Sequence, residues 1–223
     1  MVSRQQKIFK DQKSLDRAVE ALAKTCRIMH FIHRRHGTPP LRDYSSGFTG
    51  LAKIVTGQQL SAQSAAAIWS RVETGIRPFT ADALLALNDT QLSGFGLSGG
   101  KIRTLRAIAG EAAAGTLDFA AINEARNEDI HARLTAIHGV GPWTADIYLL
   151  FALRRADAFP AGDLALQIAA QKHFRLDERP APDRLLELSQ RWRPFRGAAA
   201  RMLWSDYAHA RDALKQRQHR NKP

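Results

Sequence analysis

A chain of 223 residues, 44% hydrophobic and 24% charged, suits one large domain or two small lobes sharing a core, and is balanced like an ordinary globular protein. Its charge is less ordinary: 33 Lys and Arg against 21 Asp and Glu leave +12 at pH 7, an excess that favours a polyanionic partner, nucleic acid before an anionic membrane. On composition alone a basic protein without such a partner stays open. A single cysteine, Cys26, excludes an internal disulfide and any cysteine-built zinc or iron–sulfur site. The most apolar run, Ile147 to Leu153, is too short to cross a bilayer, and MVSRQQKIFKDQK at the start lacks a signal-type apolar core, so a soluble cytoplasmic protein is expected.

Taken in chain order, the pattern is almost entirely helical. Leu15 to His33 carries Leu15, Val19, Leu22, Ile28 and Phe31 at helical spacing, with Gly37 and two prolines ending it. Phe48 to Thr56 is a short apolar helix stopped near Gly57. Ser61 caps a helix through Val72, and Thr80 caps Ala81 to Leu87. Ser98 starts a helix that ends at Gly115, and Glu128 to Ile137 forms another. Pro142 opens the next, followed by Leu164 to Phe174, Pro182 to Arg191, and a last helix from Arg196 to about Gln216. Nothing alternates at strand period and no repeat is present. Residues 1–13 and 215–223 read as basic, loose ends around a helical core of residues 14–214.

Within that core, LTAIHGVGPWTAD at Leu134–Asp146 is unusual. One helix ends at Ile137 and another begins at Pro142, so unpaired carbonyls and N–H groups face each other across a very short turn. Gly139 and Gly141 permit positive φ and close approach by another backbone. Pro142 at the first helical position gives up an N–H that had no partner in any case. Such a turn, with the helix N-terminus behind it, presents amides to an anion and is blind to base sequence. Leu134, Ile137 and Val140 supply the apolar lock between the two helices. A plain interhelical turn is the competing reading for the glycines alone. Twenty residues beyond Trp143, Asp163 follows a Pro-Ala-Gly loop and precedes a helix, where the plain reading is an N-cap.

The full pattern Leu-x-x-Ile-x-Gly-Val-Gly-Pro-x-Thr-Ala resembles the helix-hairpin-helix DNA-binding motif. Three further blocks extend the likeness: TGQQLSAQ at Thr56–Gln63, GLSGGKI at Gly96–Ile102 and WRPFRGAAARMLW at Trp192–Trp204. Together they span roughly residues 15 to 212 and resemble the helix-hairpin-helix DNA glycosylase superfamily, its alkylpurine subgroup (DNA-3-methyladenine glycosylase II) above all. The resemblance implies an all-α fold of two helical lobes. Helices around 48–137 form one lobe and both chain ends the other, with the hairpin and Asp163 at a DNA-binding cleft between them.

It also implies roles. Asp163 takes the catalytic aspartate position, Trp143 and Trp204 the aromatic walls of the base pocket. Gly139, Val140, Gly141 and Thr144 take the phosphate-binding hairpin, and Gln59 the wedge that fills the gap left by a flipped base. Gln59 departs from members with an apolar wedge; Gln58, one residue earlier, is expected to turn back and cap the adjoining helix. Phe195 stands where a second tryptophan is common and preserves packing, while Trp192, Trp69 and Phe48 are read as core. Members that also cut the strand carry a lysine where this chain has Trp143, so no lyase activity is expected. No cofactor and no iron–sulfur cluster is expected, though the hairpin carbonyls could hold a monovalent cation. The implied partner is double-stranded DNA bearing alkylated bases, bound by a monomer. Two alternatives stand beside it: a same-fold glycosylase for deaminated or oxidised bases, and a non-catalytic DNA-damage-binding protein.

Overall fold

The computed structural model describes residues 7–42 and 44–220, and among these it is built of helices without a sheet. It divides into two compact units, Met1–Arg42 with Arg154–Pro223, and Asp43–Leu153.

The first unit holds α1 (Gln12–Thr25) and α2 (Arg27–His36). The single helix expected from Leu15 to His33 is interrupted at Cys26, whose extended backbone (φ −131°, ψ 117°) closes α1 and opens α2. The buried stripe keeps its phase across the break, one position away from the apolar residues expected beyond it. Leu15, Val19 and Leu22 are buried as read, but beyond Cys26 the buried residues are Met29 and Ile32, and Phe31 is half exposed at 50%. Thr25, just before the break, turns its hydroxyl onto the carbonyls of Ala21 and Leu22 instead of supporting a further turn.

The N-terminal segment is not loose over its described part. Phe9 is fully buried, its amide bonds the Arg154 carbonyl at 2.8 Å, and Ile8 forms an antiparallel bridge with Arg155. Asp11 then caps α1 in a reciprocal capping box with Ser14. In the middle unit come α3 (Gly47–Gly57), α4 (Ala62–Gly75), α5 (Ala81–Leu85), α6 (Asp89–Gly94), α7 (Gly99–Ala113), α8 (Phe119–Glu124), α9 (Asn127–Thr135) and α10 (Pro142–Ile147). A π-helical turn, Tyr148–Ala152, follows α10 directly. The two short helices α6 and α8 were not read from periodicity, being too brief to show one. Their caps were nevertheless written in the chain: Asn88 with Gln91 makes a capping box, and Asp118 accepts from Ala120 and Ala121.

The core of the middle unit gathers Leu51, Val55, Leu84, Leu105, Ile108, Ile130 and Leu134, all fully buried. Tyr148 lies inside it, its hydroxyl accepting from Gly47 N–H and donating to Asn123 Oδ1, both at 2.8 Å. Burial pushes that phenol up to about 12.

The chain then returns to the first unit through α11 (Leu164–Phe174), α12 (Pro182–Ser189) and α13 (Arg196–Arg220). The last helix continues past Gln216, so residues 215–220 are helical; residues 1–6 and 221–223 lie outside the described part. Trp192 is completely buried and Trp69 nearly so, as expected for core aromatics; Phe48 is half-buried and stacks on Phe79. Buried Asp206 on α13 accepts from two flanking histidines, His36 of α2 at 3.0 Å and His173 of α11 at 2.9 Å, tying three helices together. No helix among the described residues is long and apolar enough to cross a membrane.

Candidate active site and phosphate-binding hairpin

The hairpin between α9 and α10 is a six-residue turn with an apolar underside. Leu134, Ile137 and Val140 are buried, and the Val140 amide closes the turn onto the Ile137 carbonyl at 3.0 Å. Gly139 has φ +79°, a conformation that favours glycine. Space also demands glycine there, because a Cβ would sit 1.8 Å from Thr104 Oγ1 on α7. Gly141 is different. Its φ of −87° is open to any residue, and a Cβ there would meet nothing within 4 Å of the chain. No internal packing requires this glycine, which leaves room for a backbone from outside.

Among the described residues, the amides of Gly139 and Gly141 have no hydrogen-bond partner within the chain. Gly139 is exposed and Gly141 half-exposed, so both can serve an external anion. Two of the residues expected at the phosphate are otherwise engaged. Val140 has spent its amide on the turn and its side chain on the core. Thr144 is buried, its amide bonds the Gly141 carbonyl, and its hydroxyl accepts from Gln58 Nε2 at 2.8 Å. Both residues hold the hairpin; neither side chain reaches out of it.

That bond also corrects the reading of Gln58. Ser61, not Gln58, caps α4, accepting from Ser64 N–H at 3.1 Å. Gln58 instead joins the turn after α3 to the start of α10. At the apex, Gln59 is exposed and holds a left-handed backbone (φ +55°), rare for a residue with a side chain. Leu60 beside it is 39% exposed. On the other side of the turn, Lys101 of α7 donates to the Thr56 carbonyl at 2.7 Å, satisfying one of the orphan acceptors at the end of α3. Burial lowers the pKa of this ammonium.

Asp163 sits in the first unit at the N-cap of α11. The Pro160–Gly162 loop is fixed under it by the Asp163 amide on the Pro160 carbonyl and by buried Gln167, which donates to the Ala161 carbonyl. The capping reading holds, and the capping atom has a second, distant donor. Oδ1 accepts the Leu166 amide at 3.0 Å and the indole N–H of Trp204 at 2.8 Å. The carboxylate is therefore oriented by two donors, one from its own helix and one from α13, 41 residues away. Trp204, expected as a pocket wall, here acts on Asp163 through its N–H, a role without a signal in sequence spacing. Leu164, at 53% exposure, places an open apolar side chain directly beside Asp163. Trp143 is half-exposed on the first turn of α10 and belongs to the middle unit. Among the described residues no group of three or more His, Cys, Asp or Glu is arranged to hold a metal.

A helical chain with a Gly-Val-Gly-Pro hairpin and an aspartate held at a helix start is the arrangement expected of a helix-hairpin-helix repair protein. The chain belongs to the HhH-GPD superfamily of base excision DNA repair proteins, whose sequence profile matches residues 52–194. It is 31% identical to the putative DNA-3-methyladenine glycosylase YfjP of Bacillus subtilis, over 92% of this chain and 73% of that one. It is 33% identical to DNA-3-methyladenine glycosylase 1 of Schizosaccharomyces pombe, over 69% of each. Among solved structures it resembles S. pombe 3-methyladenine DNA glycosylase Mag1 in complex with abasic DNA, with a TM-score of 0.78 and 28% identity, covering 84% of this chain and 95% of the other. A DNA-3-methyladenine glycosidase from Bacillus halodurans matches with a TM-score of 0.72, again at 28% identity.

Proposed function

We propose that this chain is a monofunctional DNA glycosylase that hydrolyses the N-glycosidic bond of alkylated purines in double-stranded DNA. The observation that carries the reading is Asp163, whose Oδ1 is held by Leu166 N–H and Trp204 Nε1 in a chain of this superfamily. The names of the relatives reported above, glycosylases of 3-methyladenine, support the substrate class.

The chemistry follows from charge. A base inside a duplex must be rotated out before its glycosidic bond can be reached. Gly139 and Gly141 amides grip a backbone phosphate without reading sequence, while Gln59 occupies the vacated stack. N-alkylation gives the purine a positive charge, which weakens the bond and favours stacking on an electron-rich ring, the role we assign to Trp143. As the bond breaks, C1′ gains oxocarbenium character, and a carboxylate about 4 Å away stabilises it by about 4 kcal/mol at an effective dielectric near 20. Asp163 also orients the attacking water. Because the leaving group is already charged, no second carboxylate is needed as acid. Trp143 stands where strand-cutting members carry their lysine, so the product is an abasic site in an intact strand.

The reading needs no cofactor. A monovalent cation at the hairpin would rest on carbonyls alone. Gly141 O already accepts two amides and Ile137 O one, which fits at most a weakly held ion, and no step depends on it. We further propose that the enzyme acts as a monomer in the cytoplasm, on the nucleoid if the source is bacterial.

Chromatography of free bases released from a methylated duplex tests the reading. Release of 3-methyladenine by the wild-type chain is the expected result. Binding without release would leave a damage-binding protein, and release confined to deaminated or oxidised bases would reassign the lesion.

A further inference from the structure

The turn that carries Gln59 and the hairpin that carries Gly139 and Gly141 lie in the same unit and are joined by a specific set of contacts. Gln58 donates to Thr144 Oγ1, a buried hydroxyl on the first turn of α10, three residues past Gly141. Lys101 grips the Thr56 carbonyl on the last turn of α3. One turn along the same helix, Thr104 is buried against the backbone of Gly139, so close that a Cβ could not be added. Residues 101 and 104 share a face of α7. That helix therefore braces the Gln59 turn at one point and the hairpin at the next, while Gln58–Thr144 closes the frame from the other side.

We infer that Gln58, Thr144 and Lys101 are positioning residues that lock the Gln59 turn in register with the phosphate-binding hairpin, so that gripping the backbone and probing the stack are one rigid operation. This rests on the reading of Gln59 as the gap-filling residue. Its physical reason lies in the backbone of Gln59. A left-handed conformation on a glutamine is disfavoured and persists only where its surroundings over-determine it. With the tethers in place, a phosphate bound at Gly139 and Gly141 fixes where Gln59 enters the duplex. Without them the turn relaxes, and penetration has to be bought afresh in ordering entropy at each encounter.

The test is a binding ratio, independent of turnover: affinity for a duplex containing a tetrahydrofuran abasic analogue over affinity for the same duplex undamaged. Gln58→Ala and Thr144→Val remove one and the same hydrogen bond, and each should lower the ratio about tenfold. The double variant should go no lower, and Thr144→Ser, which keeps the hydroxyl, should retain the wild-type ratio. Lys101→Met should lower the ratio too; its lost charge weakens both duplexes alike and cancels. In a Gln59→Ala background none of these changes should alter the ratio further, which a loss of general stability could not mimic. Thr144→Val is nearly isosteric, so it tests the bond even if Gln58→Ala folds poorly. An unchanged ratio in Gln58→Ala and Thr144→Val, or an equal fall with and without Gln59, overturns the inference. Failure of the function itself is read elsewhere, as absence of free base from alkylated DNA.

Discussion

Removing the Asp163 charge while keeping its shape separates chemistry from architecture. Asp163→Asn retains an oxygen at Oδ1, able to accept from Leu166 N–H and Trp204 Nε1 as the carboxylate does at 3.0 and 2.8 Å. On the proposed mechanism, what it loses is the negative charge opposite C1′, about 4 kcal/mol at 4 Å and an effective dielectric near 20, or roughly a thousandfold in rate. The fold should hardly notice: a neutral amide caps a helix about as well as a carboxylate. Asp163→Ala should be equally inactive but also less stable. It loses the cap, worth about 1 kcal/mol, and leaves the Trp204 N–H without its acceptor, about 1 kcal/mol more at the low end because the indole is only half-buried. Some 2 kcal/mol on a chain of this size lowers Tm by about 4–8 °C. Single-turnover base release and thermal unfolding of the two variants side by side provide the measurement. Asp163→Asn turning over within tenfold of wild type would refute the electrostatic role. Equal melting points for the Asn and Ala variants would refute the account of how Oδ1 is used.

Borohydride added during turnover should trap no covalent enzyme–DNA adduct if Trp143 takes the proposed place of the strand-cutting lysine; a trapped species on denaturing gels would contradict this. Binding to undamaged duplex should weaken steeply with salt and vary little with sequence, and trimming the basic tail (Lys215, Arg217, Arg220, Lys222, the last outside the described residues) should flatten the salt slope. Gln59→Ala should slow excision from a duplex more than from single-stranded DNA, where no stack needs holding open; equal losses would make Gln59 a structural residue. Acid unfolding should carry the signature of Asp206. Burial pushes this carboxyl up, but hydrogen bonds from His173 and His36 and the nearby charges of His173 and Lys172 outweigh it, holding its pKa below the ordinary value. A folded pKa below the unfolded one gives stability that is present above about pH 4 and lost as pH falls through the folded value. Asp206→Ala should remove that part of the acid slope, as urea unfolding at pH 3 and pH 6 would reveal.

Much of the fold was legible because long helices repeat their signal. Leu164–Phe174 emerged with the bounds read from sequence, and Ser61 and Thr80 cap the helices they were expected to cap. What escaped was either short or non-local. The six-residue helices at Asp89–Gly94 and Phe119–Glu124 complete too few turns to show a period, and only their caps announced them. Cys26 breaks the pattern with nothing in its own chemistry to say so: Leu22 and Met29, seven residues apart, keep helical phase across the break, and Ile28 and Phe31 also looked apolar in sequence. The candidate site residues followed the same division. Asp163 at a helix start and the hairpin glycines in a tight turn were legible from local motifs. The Trp204–Asp163 and Gln58–Thr144 bonds span 41 and 86 residues, and no sequence spacing encodes a contact that packing alone creates.

The backbone at Gln59 bears on how such an enzyme can be engineered. A left-handed φ on a residue with a side chain costs on the order of 1–2 kcal/mol, which glycine would not incur. Gln59→Gly is thus a ready route to a more stable protein, offset only by glycine's greater freedom when unfolded. A library sorted by heat resistance alone should enrich glycine at this apex. On the proposed role of Gln59, the survivors would melt higher and search DNA blind, keeping their grip on phosphates but lacking the side chain that tells a sound stack from a broken one. Selection schemes for this scaffold would then need damaged duplex present at the sorting step, or they would discard the strain that the proposed recognition uses.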